Sequence, residues 1–394
     1  MSQEEYKKPL ILLLLAVFVD LVGFGILIPI LPFFLVFLGG DELTLSWLLA
    51  IYSLAQFIAA PLWGKLSDKI GRRPVILVGL IGSSVSFTVF GLAQSMFLLF
   101  FARFLAGIFT GASLPTARAY IADIVPKERR AVTYGMMGAA FGLGFTLGPV
   151  IGSVLSSLTI GDLSSYAIPS FGAAILTFLN FIGAVIWLPE PSIARNGGIE
   201  SRKSLIDTLK TVVQYDYVGL LISTYAMIIL IFSGFEAMFP LFSNAADPTI
   251  DETSMGYVFG VIGVVIVIVQ GGVIKPAVAK YGEIVVIKVG IVFLIVGFFV
   301  FPFTNSIATI ILAAVPLAIG AGLTNPALTS EISKRVPSEI QGSAMGLNSG
   351  ISALMRVLGM LIAGFMYKIN YVLHFRFGII LLCITLLIMS IRVK

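Results

Sequence analysis

Long, nearly uninterrupted apolar runs constrain this 394-residue chain more than any other feature of its sequence. A helix of about 20 apolar residues, rising 1.5 Å per residue, is long enough to cross the roughly 30 Å hydrocarbon core of a bilayer. Runs of this length occupy residues 10–38, 43–63, 74–94, 96–118, 131–157, 167–188, 216–242, 254–274, 284–303, 306–330, 341–366 and 371–392. We therefore predict an all-α membrane protein with 12 transmembrane helices.

Composition excludes several functional classes. Only 11% of the residues are charged, against about 25% in soluble domains. The sequence contains no phosphate-binding loop pattern, no paired Cys or His for a metal, and no soluble domain of useful size. We therefore predict that the protein is not an enzyme and that it uses no metal or other cofactor. The single Cys383 excludes an intramolecular disulfide.

The distribution of basic residues predicts the orientation in the membrane. If residue 1 is cytoplasmic, only Lys368 and Arg376 of the 25 Lys and Arg residues fall in outer loops, and Arg103 and Arg356 fall within spans. Cytoplasmic loops carry this kind of excess. We predict a multi-pass protein of the cell inner (plasma) membrane with both termini in the cytoplasm. The net charge of +5 follows from topology, so we expect no nucleic-acid partner. We also expect a lipid environment and a monomer.

The chain repeats itself at an offset of 211 residues. The offset covers six predicted helices, and an even number preserves the direction of entry into the membrane. We therefore predict two parallel six-helix, pseudo-symmetric halves, residues 1–188 and 216–394, joined by a polar cytoplasmic linker over 189–215. The aligned pairs include Gly23 with Gly234, Phe24 with Phe235, Gly71 with Gly282, Pro115 with Pro326, Glu128 with Glu339, and Gly148 with Gly359.

Charged residues inside the predicted spans indicate ion or proton traffic, because a charge at the bilayer centre costs several kcal/mol. Asp20 lies about 15 Å and Arg103 about 22 Å from the cytoplasmic face at 1.5 Å per residue, so a long guanidinium can cover much of the difference. We predict that Asp20 carries a proton and that Arg103 tunes its proton affinity. The alternative is a static buried ion pair that only fixes helix packing. In either case no nucleotide-binding motif is present, so the energy source that we expect is a proton gradient.

Three segments carry a resemblance to a known family. The loop over residues 64–74 resembles motif A of the major facilitator superfamily, with Gly64, Asp68, Gly71, Arg72 and Arg73 at defining positions. The fifth span resembles the antiporter motif of the drug:proton antiporter branch, with Gly135, Gly144, Gly148, Pro149 and Gly152, although Ser153 replaces its final glycine. The segment from Asp20 to Pro32 is similar to the same branch, including tetracycline-type exporters. The resemblance implies export in exchange for an ion.

The motif A loop has a physical interpretation of its own. Asp68 lies at the cytoplasmic end of the second span, where a carboxylate can cap the positive N-terminus of a helix near residues 341–344. Arg72 can pair with Asp123 just past the fourth span. Together these contacts would form a conformational latch. The alternative is that a basic loop with a turn glycine only sets topology. The glycines of the fifth span are likewise either packing residues or, with Pro149, part of a bent seam.

Aromatic and polar residues at membrane depth predict a substrate cavity. Phe235 and Glu236 belong to an aromatic face with one carboxylate, which would suit a hydrophobic cation. The alternative is that the rings face lipid and Glu236 reaches the outer headgroups. Arg356 would either neutralise Glu236 or bind an anionic head. The predicted substrate-binding residues are Phe24, Tyr52, Gln56, Phe235, Glu236, Asn325, Asn348 and Arg356.

These features together predict a secondary active transporter. We expect it to export small lipophilic, cationic drugs in exchange for protons by alternating access. One alternative is a lipid or sugar-conjugate translocator whose substrate has an anionic head bound by Arg356. An alternative from a different class is a non-transporting membrane receptor or scaffold built on the same fold.

Overall fold

Helix is the only regular secondary structure in the residues that the computed structural model describes, which are 6–158, 164–191, 205–337 and 340–393. A π-helical turn over Val269–Val273 and a 3-10 turn over Phe301–Phe303 interrupt the α-helices. The prediction of an all-α class is therefore confirmed for this part of the chain. The helices are α1 (Lys7–Leu27), α2 (Leu31–Phe37), α3 (Glu42–Ile70), α4 (Arg72–Gly91), α5 (Met96–Ile124), α6 (Lys127–Ser156), α7 (Ala167–Trp187), α8 (Leu205–Val212), α9 (Val218–Ala246), α10 (Glu252–Ile268), α11 (Ile274–Tyr281), α12 (Glu283–Val300), α13 (Ile307–Arg335), α14 (Gln341–Ile369) and α15 (Leu373–Arg392).

Eleven helical segments of the described residues are long and apolar enough to cross a membrane. Three of them combine consecutive elements: Lys7–Phe37 contains α1 and α2, Glu252–Tyr281 contains α10, the π-helical turn and α11, and Glu283–Phe303 contains α12 and the 3-10 turn. The remaining predicted span, 131–157, falls in α6, where the described apolar stretch is Gly142–Ser156. The chain is thus rich in membrane-spanning helices, and the count of 12 stays a prediction.

Side-chain caps explain where two of the long helices begin. At α3, the Asp41 carboxylate accepts a hydrogen bond from the backbone N–H of Thr44 at 2.8 Å. At α13, Ser306 and Thr309 form a reciprocal capping box. Both arrangements satisfy N–H groups that have no partner inside the helix, so they fix the first turn.

The same backbone turn follows α3 and α11. Gly71 has φ 109° and ψ 161°, and Gly282 has φ 79° and ψ 161°. Only glycine adopts this region without strain. The two residues are aligned by the 211-residue offset of the sequence, so the internal repeat has a counterpart in backbone conformation.

The backbone divides into two compact units. The first comprises Met1–Asn196 with Ile250–Gly260, and the second comprises Gly197–Thr249 with Val261–Lys394. The beginning of α10 therefore belongs to the first unit, where the Ser153 hydroxyl donates a hydrogen bond to the carbonyl of Thr253 at 2.7 Å. The sequence-based domain limits of 1–188, 189–215 and 216–394 stay a prediction.

Glycines allow close helix packing inside each unit. In the first unit, a Cβ added at Gly148 of α6 would lie 2.6 Å from the Cα of Gly25 on α1. In the second unit, a Cβ added at Gly359 of α14 would lie 2.1 Å from the carbonyl oxygen of Leu230 on α9. Small residues of this kind let backbones approach in a membrane, where no hydrophobic effect drives helices together. The α1–α6 contact holds the helix that carries Asp20.

Candidate proton and substrate site

Asp20 is buried in the first unit, with 7% of its surface exposed. It faces a small pocket between α1, α4 and α5. No Lys or Arg lies within 4 Å of its carboxylate among the described residues. The other residues that line this pocket are Leu13, Ala16, Val17, Ile76, Leu80, Ser113 and Ala117.

Arg103 is buried on α5, with 4% of its surface exposed, and its partners are aromatic rings. The guanidinium carbon lies 4.7 Å from the ring centroid of Tyr52 and 6.0 Å from that of Phe24. These two rings stack on each other with their centroids 5.3 Å apart. The three side chains form one cluster from α1, α3 and α5, which we call the Arg103–ring cluster.

The expected contact between Arg103 and Asp20 is absent from the described part of this structure. The reason lies in the depth of each residue along its helix. Phe24 follows Asp20 by one turn on the same face of α1, about 6 Å further along the axis. This step matches the roughly 7 Å difference in depth that the sequence gives for Asp20 and Arg103. The guanidinium of Arg103 therefore lies at the depth of the Phe24 ring and not at that of Asp20.

An apolar groove of about 410 Å³ lies between α3 and α5. Its lining begins one turn after Tyr52 on α3 and directly after Arg103 on α5, and it runs towards the α3–α4 turn. The groove offers apolar contact area and one indole, whose N–H is already bonded to the carbonyl of Ile108 at 2.9 Å. The lining residues are Ala55, Ile58, Ala59, Leu62, Trp63, Leu66, Phe104 and Ile108.

The motif A residues form an ion-pair network at the α3–α4 turn. Arg72 donates from Nε to Asp123 at 2.8 Å and from Nη1 to Asp68 at 2.5 Å. Arg72 Nη1 also lies 2.7 Å from the Ser67 hydroxyl. The Arg72–Asp123 contact that the sequence indicates is thus present and ties the start of α4 to the end of α5. The cap of Asp68 on a helix near residues 341–344 stays a prediction.

Glu190 completes this network, and the sequence analysis did not identify it. Its two carboxylate oxygens accept hydrogen bonds from the backbone N–H groups of Arg72 and Arg73, each at 2.8 Å. Gly71 at the N-cap of α4 has no side chain to do this. A helix start without its own cap, together with a carboxylate directly after a predicted span in Pro189-Glu190-Pro191, is the signal that could have revealed it.

The remaining motif A residues lie around the same turn. Gly64 belongs to the last turns of α3, and its carbonyl accepts a hydrogen bond from the Ser67 hydroxyl at 2.8 Å. Arg73 Nη2 donates to the carbonyl of Val185 near the end of α7 at 2.5 Å. The α3–α4 turn is therefore held by groups from α5, α7 and the segment after α7.

The glycines that resemble the antiporter motif lie on α6. A Cβ added at Gly144 would meet Leu21 of α1 at 2.8 Å, and one added at Gly152 would meet the carbonyl of Ile26 at 2.2 Å. Pro149 is buried inside α6, and Gly135 lies earlier in the same helix. These residues thus provide the close contact of α6 with the helix that carries Asp20. Their role in a moving seam stays a prediction.

Phe235 occupies an aromatic core in the second unit. Only 3% of its surface is exposed. Its ring centroid lies 4.8 Å from that of Phe239 and 5.1 Å from that of Phe301. Phe24, its counterpart in the repeat, is half-buried. The two aligned residues therefore have different surroundings, which a sequence alignment alone does not reveal.

Glu236 and Arg356 are the charged residues at membrane depth in the second unit. Each is half-buried. They do not form an ion pair within 4 Å in the described residues. The Ser233 hydroxyl bonds to the backbone carbonyl of Arg356 at 3.4 Å, so α9 and α14 are in contact at this level.

Three predicted polar residues of the cavity have less definite surroundings. Asn325 on α13 and Asn348 on α14 each have a buried side-chain oxygen without a hydrogen-bond partner among the described residues. Gln56 is half-buried on α3, four residues after Tyr52 and therefore on the same face. Buried amide oxygens without partners are uncommon and identify positions where a polar ligand atom could bond.

Comparisons with known proteins identify the family. The model described as Major Facilitator Superfamily matches residues 13–360 and 272–392. The chain is 33% identical over 369 residues to the class E tetracycline resistance protein of Escherichia coli, covering 92% of this chain and 88% of that protein. The chain belongs to the major facilitator superfamily. It is also 28% identical over 370 residues to the quinolone resistance protein NorA of Staphylococcus aureus, covering 92% and 91% of the two chains.

The fold agrees with that of solved transporters of this superfamily. The structure of the human organic anion transporter MFSD10 superimposes with a TM-score of 0.71 at 22% identity, over 99% of this chain and all of that one. The major facilitator relatives are transporters, so this chain is a transporter and not an enzyme, as the sequence predicts. Its many apolar helices and its relatives indicate a multi-pass inner membrane protein.

Proposed function

We propose that this protein is a proton-coupled antiporter that exports small lipophilic cations by alternating access. In this proposal the chain has 12 spans in two six-helix halves, 1–188 and 216–394, joined by the linker 189–215. Both termini lie in the cytoplasm, the chain works as a monomer, and the proton gradient supplies the energy.

The proposal rests on the residues that surround Asp20. Its carboxyl is buried in an apolar pocket, and the nearest buried cation, Arg103, lies against aromatic rings instead. An unpaired carboxylate is poorly stable in such surroundings, whereas a protonated carboxyl or a carboxylate paired with arginine is acceptable. A group with two acceptable states, separated by one proton and one side-chain movement, has the properties of a proton carrier.

Two further findings support the substrate class. The names of the relatives describe resistance to tetracycline and to quinolones. The groove between α3 and α5 is almost entirely apolar, and the same two helices carry Tyr52 and Arg103 of the Arg103–ring cluster. An apolar wall beside aromatic faces fits a lipophilic body with a positive charge.

The network of Asp68, Arg72, Asp123 and Glu190 is part of the proposal as a conformational latch. Its hydrogen bonds join the α3–α4 turn to α5 and to the segment after α7. Contacts of this kind, made by charged groups at the ends of helices, can break and re-form without unpacking a core. We propose that the Asp68 contact changes during the transport cycle while the Asp123 and Glu190 contacts persist.

Replacing Asp20 by asparagine tests the proton-carrier assignment. In proteoliposomes with an imposed pH gradient, we expect the wild-type protein to accumulate a lipophilic dye cation against its gradient. We expect Asp20→Asn to abolish this uphill transport, because the amide cannot exchange a proton. The measurement is the rate of dye movement by fluorescence, with and without the pH gradient.

A matched aspartate outside the membrane provides the control. Asp247 is a partly exposed residue that follows α9, and its carboxylate accepts hydrogen bonds from Thr249. Asp247→Asn should leave uphill transport unchanged, because the amide oxygen can still accept those bonds. Uphill transport by Asp20→Asn at the wild-type rate would contradict the assignment of Asp20.

A second candidate function is transport of an anion, including a lipid or sugar conjugate with an anionic head. Arg356 favours it, because this half-buried arginine has no carboxylate within 4 Å among the described residues. The same assay with a lipophilic anion in place of the cation distinguishes the two functions. Transport of the anion alone, lost in Arg356→Gln, would replace the cation proposal.

A further inference from the structure

The one histidine of this chain, His374, is buried in the second unit. It lies in the first turn of α15, and 2% of its surface is exposed. Its ring centroid lies 6.0 Å from that of Phe298 on α12. On the α9 side, a Cβ added at Gly234 would lie 2.6 Å from Cε1 of the imidazole. The imidazole therefore occupies the space that this glycine leaves between α9, α12 and α15.

The polar groups around the ring suit a neutral imidazole. Neither ring nitrogen has a hydrogen-bond partner of ordinary geometry among the described residues, and the polar group that acts on the ring is the backbone carbonyl of Ile231 on α9. A neutral imidazole has one N–H group, whereas an imidazolium has two. One carbonyl can face the first N–H, so protonation would leave a second N–H buried without an acceptor, which is costly.

The protonated ring would also lack a counter-ion. No carboxylate lies within 4 Å of His374 in the described residues. Glu236 on α9 comes two residues after Gly234, so it is rotated by about 200° from the glycine that faces the ring. On α12, residues 289–300 contain no ionisable side chain. The other ionisable side chains on the nearby turns of α14 and α15 are Arg356, Tyr367, Lys368 and Arg376.

These surroundings set a choice when the medium becomes acidic. A free histidine is half protonated at about pH 6.5. A buried cation without a counter-ion is costly, and the aromatic rings replace the lost water only in part. Below this pH the ring of His374 must either stay neutral in its buried position or move to water and take up a proton.

Water lies close to the first turn of α15. The turn that precedes it contains exposed residues, including Tyr371 with 49% of its surface exposed. The next turn of α15 is tightly packed, because a Cβ added at Gly378 would lie 2.9 Å from Cδ1 of Phe298 and 3.0 Å from Cγ2 of Ile231. The first turn can therefore separate from α9 while the rest of α15 stays in place.

We propose that His374 is an acid-sensitive lock of the second unit, which holds the first turn of α15 against α9 while neutral and releases this turn to water when protonated. In the orientation proposed above, this turn is on the outer side of the membrane, which is the acidic side for a proton-driven exporter. The inference goes beyond the proposed function, because it assigns a second proton-binding group that takes no part in the chemistry of Asp20.

The pH dependence of unfolding tests the lock. Thermal unfolding in detergent is measured from pH 8 to pH 5 for the wild type and for His374→Phe, which keeps an aromatic ring but binds no proton. The unfolded chain binds this proton and the folded chain does not, so stability falls with pH below about 6.5. We expect the unfolding equilibrium constant of the wild type, relative to that of the variant, to rise up to about tenfold per pH unit there. Tyr371→Phe is the matched control and should follow the wild type.

Hydrogen exchange determines where the protein opens. Exchange is measured by mass spectrometry in peptides that cover residues 371–378 and is corrected for its intrinsic pH dependence. From pH 7.5 to pH 5.5 we expect the protection of these peptides to fall about tenfold in the wild type and to stay constant in His374→Phe. Peptides from α7 serve as the internal reference. Parallel pH profiles of the two proteins, or a loss of stability without faster exchange in 371–378, would overturn the lock.

A measurement on the wild type needs no substitution. Because the chain has one histidine, labelling with ¹⁵N-histidine gives NMR signals from His374 alone. We expect a neutral imidazole at pH 6 in the folded protein, and an imidazolium at this pH with full exchange protection of 371–378 would overturn the lock. This result decides the question if His374→Phe is not monodisperse in size-exclusion chromatography. These measurements use no gradient and no transported substrate, so they are independent of whether Asp20→Asn abolishes uphill transport.

Discussion

At the scale of single residues, depth along a helix decides which side chains can meet. Among the described residues of the first unit, Asp20 and Arg103 are the buried charged residues, and the Arg103 guanidinium contacts Tyr52 and Phe24, which follows Asp20 by one turn of α1. Glycines act at the same scale, because they let α1 and α6 approach each other closely, for example at Gly25 and Gly148. Both effects depend on the position of individual atoms.

A methyl group at position 148 should destabilise the first unit. The Cβ of Gly148→Ala would lie 2.6 Å from the Cα of Gly25 and 2.8 Å from backbone atoms of Gly25 and Val22, so α1 and α6 must separate. Overpacking of this kind costs about 1–3 kcal/mol. The thermal midpoint in detergent should fall correspondingly, and transport should fall with it because α1 carries Asp20.

Gly350→Ala is the matched control for this substitution. Gly350 lies inside α14, and an added Cβ would meet no described atom of another segment within 4 Å. Alanine is favoured over glycine in a helix interior by about 1 kcal/mol, so the thermal midpoint should stay the same or rise. Equal thermal midpoints for Gly148→Ala and Gly350→Ala would contradict the tight contact of α1 with α6 at Gly148.

At the scale of elements, the start of α4 depends on a carboxylate from the segment after α7. Glu190 follows α7 and accepts hydrogen bonds from the first two backbone N–H groups of α4. A negative charge at this end also interacts favourably with the helix dipole. The turn at Gly282 repeats the backbone conformation of Gly71, but in the described residues a Cβ built there meets no side chain or backbone of another segment within 4 Å.

The two turn glycines should therefore respond differently to alanine. Gly282→Ala forces a side chain into a region that favours glycine, which costs about 1–3 kcal/mol. Gly71→Ala has the same cost, and its Cβ would also lie 2.6 Å from a carboxylate oxygen of Glu190, so it displaces the cap. We expect Gly71→Ala to be less stable than Gly282→Ala by about 1 kcal/mol, measured as the difference in thermal midpoint.

Removing the cap checks this explanation. In a Glu190→Gln background, the charge of the cap is already lost, so the difference between the Gly71→Ala and Gly282→Ala midpoints should shrink. A difference that is unchanged in this background would mean that Glu190 does not cause it.

At the scale of the whole molecule, the distribution of basic residues predicts which loops face the cytoplasm. Lys69 lies at the end of α3 and Lys368 at the end of α14, and both are exposed. The sequence places Lys69 in a cytoplasmic loop and Lys368 in an outer loop. The structure supplies helix directions within each unit, and the membrane orientation stays a prediction.

Cysteine labelling in cells tests this orientation. In a Cys383→Ser background, Lys368→Cys should react with a membrane-impermeant maleimide in intact cells. Lys69→Cys should react only after the membrane is permeabilised, because its loop lies inside. Labelling of both variants in intact cells, or the reverse pattern, would contradict cytoplasmic termini.

The sequence by itself determined the features that follow from local pattern. Apolar length gave the helices, the 211-residue repeat gave the paired turn glycines, and the motif A loop gave the contact of Arg72 with Asp123. These features depend on spacing along the chain or on residues at the ends of helices. The buried charge at Asp20 could also be recognised, because a carboxylate inside an apolar run is rare.

Only the tertiary structure decided which side chains meet across helices. The Arg103–ring cluster, the cap by Glu190 and the burial of Phe235 all depend on the rotation and axial offset of neighbouring helices. Successive residues of a helix are rotated by about 100° about its axis, and a shift of one turn moves a side chain by about 5.4 Å along that axis. Hydrophobic spans are apolar on all sides, so their sequence fixes neither quantity, and close packing at residues such as Gly148 and Gly25 sets both.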